Sequence, residues 1–159
     1  MIRSKEPRAG EETKPAATLL APQKPTESYA GLVQEFEETA EVLLASVTHL
    51  LDEAYLDHQA VIRGEWKREI LFLAAELARY PWFLVNSDCP APYETLRLFY
   101  RAWAGACADL ESCLRTLVRK GDRRPISIRL DYASESLATV EAYTAARKVY
   151  LERLAGRVP

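Results

Sequence analysis

Apolar side chains return every three or four residues through most of this chain, and the beat is longest over residues 26–62. Tyr29, Val33, Phe36, Ala40, Leu43, Val47, Leu50 and Ala54 alternate steps of four and three, which places them on one stripe of an α-helix. The pattern predicts a single long helix, opened by Thr26 or Ser28 as N-cap and interrupted only at Gly64. A second helix follows from Glu65 through Trp66, Ile70, Leu73, Leu77 and Tyr80, until Pro81 stops or kinks it. A third is predicted from Pro92 to about Lys120, with Leu96, Phe99, Trp103, Ala106, Leu110, Cys113 and Leu117 as its stripe and Gly121 just past its end. Ile126, Ile128 and Leu130 alternate with polar residues. A lone strand has nothing to pair with, so residues 126–130 read as an extended linker pressed onto the other elements. Asp131 then caps a fourth helix that reaches about Ala155.

These elements imply an all-α fold, an antiparallel four-helix bundle whose second helix is short. Before Pro81 that helix covers about 23 Å, against roughly 50 Å for the first. The aromatic run 80–85 must therefore shield the rest of the groove, as a kinked continuation or as a plug. A pocket is expected where the packing is thinnest. Residues 1–25 hold Pro7, Pro15, Pro22 and Pro25 and few large apolar residues, so they read as a disordered tail, with residues 26–159 as one helical domain.

Charge divides the chain further. The net value of −2 conceals −8 over residues 26–62, which carry eight carboxylates and no Lys or Arg, and +4 over residues 92–130. The first helix is thus apolar on one side and acidic on the other, while Arg115, Arg119, Lys120, Arg123, Arg124 and Arg129 gather around the turn between the third and fourth helices. Cations near a helix end complement the dipole, which accounts for Arg119 and Lys120. Arg123 and Arg124 protrude on a turn and are candidate contacts for an anion or an acidic partner, together with Arg119, Lys120 and Arg129.

Chemical motifs are few. His49 and His58 lack the Glu-x-x-His pairing of di-iron bundles, no zinc-type spacing occurs, and no glycine-rich phosphate loop is present. No metal and no cofactor are expected. Three cysteines, two of them six residues apart on one helix, do not form a disulfide framework, which points to a reducing, cytoplasmic setting. No stretch approaches the roughly 18 apolar residues of a membrane span, so no membrane partner is expected.

Arg147 stands out because it falls near the centre of the apolar arc defined by Leu137, Val140, Leu151 and Leu154. A charge there must be paired or must reach solvent. Asp57 is the first-choice partner and Asp109 the second. Two readings stay open: an ion pair that sets helix register, or an anion-binding arginine in a pocket edged by Tyr132, Tyr143 and Tyr150 and by Trp82 and Phe83 of the aromatic run. The expected function is a non-catalytic protein-interaction module: an adaptor, a chaperone-like protein or a small subunit of a larger assembly, whose partner is another protein or a copy of itself. The alternatives are a helical nucleic-acid-binding subunit acting through residues 119–129, and a small-molecule anion sensor or enzyme centred on Arg147.

Overall fold

Four helices of 13 to 32 residues carry the architecture of the computed structural model, which describes residues 25–156, with side chains from Ser28 onward. They are α1 (Pro25–Leu56), α3 (Lys67–Arg79), α5 (Glu94–Thr116) and α6 (Ile126–Ala155), joined by the single turns α2 (His58–Ile62) and α4 (Trp82–Asn86) and by a 3₁₀ turn at Ala91–Tyr93. No strand occurs among the described residues. The tail expected over residues 1–25 lies outside them, apart from Pro25, which opens α1.

Around the bundle the order is α1, α3, α5, α6, each packed on its neighbours, with α1 and α5 facing each other across the core. Neighbours run antiparallel: Phe99 of α5 stacks on Tyr150 of α6, Trp103 bonds Thr144, Tyr55 near the end of α1 bonds Asp131 near the start of α6, and Phe36 meets Tyr80. The all-α, antiparallel four-helix reading of the sequence is the fold observed. All eight stripe residues predicted on α1 are buried. The seams of α5 (Leu96, Tyr100, Trp103, Cys107, Leu110, Leu114, Leu117) and α6 (Ile126, Leu130, Ala133, Leu137, Val140, Thr144, Arg147, Leu151, Leu154) keep the same four–three alternation. That is a 3.5-residue repeat, the spacing that lets long helices stay in register along a gentle left-handed coil.

Several boundaries differ from the sequence expectation. The first helix ends at Leu56, because Asp57 leaves the helical region (φ −145°) and turns its carboxylate onto the Ala60 amide at 3.1 Å. An Asp that caps a new turn cannot also continue the old one. Residues 126–130 form the first turns of α6 and no linker: Ile126 and Leu130 are four apart on the seam, so the apparent alternation was helical spacing sampled over too short a window. Pro125, preceding the first turn, starts that helix, and Asp131 accepts a 2.6 Å bond from Tyr55 and caps nothing. On α5 the seam runs through Tyr100 and Cys107, while Phe99 and Cys113 are half-buried flanks. The helix closes at Thr116, so Arg119 and Lys120 lie in the turns beyond it.

The short second helix is completed as expected. Pro81 keeps helical dihedrals (φ −60°, ψ −24°), so α4 is a kinked continuation of α3 that has lost one amide donor. Its Leu84 and Val85 are buried against α5 and α1, and Arg97 of α5 donates to the Val85 carbonyl at 2.8 Å. The plug fills the groove.

Candidate functional site

Two places concentrate charge in a way that packing alone does not require. The first is a polar layer inside the bundle. Arg147 has no exposed surface, and its Nε and Nη2 donate to the two Glu37 oxygens at 2.6 and 3.0 Å. Tyr100 Oη donates to the same Glu37 Oε2 at 2.8 Å, and Trp103 Nε1 donates to Thr144 Oγ1 at 2.8 Å. The guanidinium carbon lies 4.6 Å from the Trp103 ring centre and 5.0 Å from that of Tyr100, both within cation–π range. Burial, with the Glu37 carboxylate beside it, pushes the Tyr100 phenol above its ordinary value, so it remains a donor. Burial also pushes the Cys107 thiol up to about 12.

Arg147 therefore pairs with Glu37 and with neither Asp57 nor Asp109. Glu37 follows the seam residue Phe36 by one position, which aims it along the α1–α6 boundary. The expected tyrosine-edged pocket is not assembled: Tyr132 and Tyr143 are exposed on the outside of α6, and Tyr150 stacks on Phe99 at 4.9 Å. Trp82 and Phe83 sit on the outer side of α4, 38% and 45% exposed. A cleft of about 240 Å³ between α1 and α6 touches Arg147, yet three carboxylates (Glu37, Glu41 and Glu141) line it, and the guanidinium is sealed from solvent. An outside anion has no approach to it in this conformation. Sequence reasoning missed Glu37, Tyr100, Trp103 and Thr144; the signal available was a Tyr and a Trp three apart on one seam facing a buried Arg.

The second place is the end of the bundle where the α1–α3 and α5–α6 connections meet. Both connections turn on a left-handed glycine, Gly64 (φ 81°) and Gly121 (φ 82°), positions that a side chain adopts only under strain. A cleft of about 470 Å³ lies between them, with Val61, Ile62, Leu117, Val118 and Ile126 as an apolar floor and Arg63, Lys67, Arg119, Lys120 and Arg129 at its rim. It shares Arg119 with a neighbouring cleft of about 530 Å³ that includes Arg124, Tyr132 and the Thr116, Ser136 and Thr139 hydroxyls. On the other side it shares Gly64 and Lys67 with one of about 540 Å³ that includes Arg68 and Leu71. The three form one belt across the basic end.

Around that belt the basic residues divide by task. Arg124 holds Asp122 through two side-chain bonds of 3.1 and 2.8 Å and lies 5.8 Å over the Tyr132 ring. Arg129, nearly buried, donates to the Thr116 and Arg124 carbonyls at 2.8 and 3.0 Å. These two build the turn, and the Arg124 guanidinium holds the Asp122 carboxyl well below the usual carboxylate range. Arg63 pairs with Glu65 and Arg115 with Glu111. Lys67, Arg119, Lys120 and Arg123 are exposed and take part in no ion pair among the described residues. The apolar floor and the contribution of Arg63, Lys67 and Arg68 from the other connection were not read from the sequence, because nothing local ties residue 63 to residue 119.

Among the described residues no three His, Cys, Asp or Glu side chains converge as a metal site, and no helix is long and apolar enough to cross a membrane. Comparison with protein-family models, with curated proteins and with solved structures gives no match to this chain.

Proposed function

We propose that this protein is a non-catalytic interaction module, an adaptor or small subunit of a larger assembly, that docks an acidic protein surface on its basic end. The observation that carries this reading is the apolar floor between unpaired cations. Ile62 is 57% exposed there, beside Lys67, Arg119 and Lys120. An exposed branched aliphatic residue ringed by cations suits a partner that presents carboxylates around an apolar anchor. Desolvating the anchor supplies affinity, and the charges supply approach rate and orientation.

A nucleic-acid reading draws on the same four unpaired cations. Against it stand the interleaved Glu65, Glu69 and Glu135 and the apolar floor, which phosphates would desolvate without return. Tyr132, the exposed aromatic of the belt, already holds the Arg124 guanidinium 5.8 Å over its ring. The test is affinity capture from the native host with the wild-type chain and a matched Arg119→Glu/Lys120→Glu bait. A partner retained by the first and lost by the second, cross-linked through an Asp- or Glu-rich segment, is the expected result. Identical capture by both baits, or salt-sensitive retardation of nucleic acid by the wild type alone, overturns the proposal.

A further inference from the structure

The outer face of α1 is a second unsatisfied surface among the described residues. Glu35, Glu38, Val42 and Ala45 follow one another along it at steps of three and four, all exposed, with Val42 66% exposed among carboxylates. Neither Glu35 nor Glu38 has a cationic partner among the described residues; Glu38 only accepts a long bond from Gln34 at 3.5 Å. Like charges spaced three and four apart on one helix repel, and among the described residues no cation pairs with Glu35 or Glu38 to offset them. The basic end cannot do so within one molecule. Val42 lies roughly 20 Å along the axis from the end of α1, and the end cleft opens beyond that point.

We infer that the basic end of one copy receives the acidic face of α1 from a second copy. The inference rests on the reading of the basic end as a docking surface and names its occupant. Each surface is the chemical complement of the other: Val42 is the anchor for the Ile62, Val118 and Ile126 floor, while Glu35 and Glu38 meet Lys67, Arg119 and Lys120. A convex helix face laid into a groove is a recurrent docking mode. Because the two patches are different parts of the surface, the contact is head-to-tail, and each added copy leaves one patch of either sign free for the next. The patch is small and rimmed by charge, so association is weak and salt-sensitive.

Sedimentation velocity of the full chain tests this. At roughly 0.05 M salt the average mass should climb with protein concentration toward twice the chain mass and beyond, and at roughly 0.5 M it should return to the monomer. Arg119→Glu/Lys120→Glu alone and Glu35→Lys/Glu38→Lys alone should each remain monomeric at low salt. An equimolar mixture of the two variants should associate again, because the reversed patches complement each other; circular dichroism confirms that both are folded. A mass independent of salt and concentration overturns the inference, as does association that persists in both single variants or fails to return on mixing. A monomeric wild type that still captures a foreign acidic partner, lost with Arg119→Glu/Lys120→Glu, overturns self-association alone and leaves the docking reading standing. Loss of both removes both.

Discussion

Arg147 and Arg119 carry the same guanidinium, yet the protein treats them in opposite ways. Arg147 is drawn fully inside and given a bidentate carboxylate and two aromatic faces, with a phenol bracing that carboxylate. Arg119 stands at the joint of two clefts and forms no ion pair among the described residues. Desolvation explains the contrast. A buried charge without a partner costs several kcal/mol, so the interior either satisfies it or excludes it, whereas water satisfies an exposed charge at no cost to the fold. Bidentate pairing with Glu37 ties Arg147 to the scaffold, although its buried Nη1 finds no hydrogen-bond partner, and the lack of any ion pair among the described residues leaves Arg119 available to something outside the chain.

The sharpest way to break this contrast is to remove one half of the buried pair. Glu37→Gln should destabilise by about 3–5 kcal/mol, since it strands a guanidinium under Trp103. The double variant Glu37→Gln/Arg147→Met should recover much of that loss, because both charges are then gone. Chemical denaturation of the wild type, the two single variants Glu37→Gln and Arg147→Met and the double variant forms a double-mutant cycle, and additive losses would mean that the pair does not act as a unit. Next in size is the alkaline limb. The Cys107 thiol, raised to about 12 in the fold, ionises near 8.5 when unfolded, so the native state holds the proton in between. Its contribution is whole below the unfolded value and declines as pH rises through that window, by about 2 kcal/mol at pH 10. Cys107→Val should flatten that part of the stability profile.

At the basic end the expected effects on stability are smaller. Asp122 is depressed by Arg124, so its contribution is whole above the ordinary carboxylate range and is lost as pH falls toward the folded value. Asp122→Asn should reduce the acid-side slope of a melting-temperature profile and leave neutral-to-alkaline behaviour unchanged. Smallest of all, Arg119→Glu/Lys120→Glu should move stability by no more than about 0.5 kcal/mol, while altering whatever docks there. A large destabilisation by that pair would place Arg119 in the scaffold with Arg147 and erase the distinction.

How much of this was written in the chain differs between the two regions. The existence of four amphipathic helices, the second of them short, the burial of the whole α1 stripe and the anomaly of Arg147 follow from periodicity, because a 3.5-residue repeat leaves only one side of each helix to hide. Local chemistry was less legible where one residue could serve two roles. Asp57 looked like a continuing helix residue and proved a cap, and Ile126 to Leu130 looked like a strand pattern and proved a helix start. The identity of Arg147's partner was out of reach, since Glu37 is 110 positions away and its neighbour Glu38 faces water one residue later. A turn of about 100° between successive residues separates the two fates, and only the angle at which α1 meets α6 decides which carboxylate turns inward.

The alternation of apolar and polar positions thus settled which surfaces of the helices had to meet, since burying them is what offsets the entropy of ordering the chain. It was the packing of those helices around one axis that brought residues 61–68 beside residues 117–129 and sealed Glu37 over Arg147. Long-range juxtaposition depends on helix lengths, kinks and rotations acting together, and no stretch of sequence short enough to read as a motif contains all three.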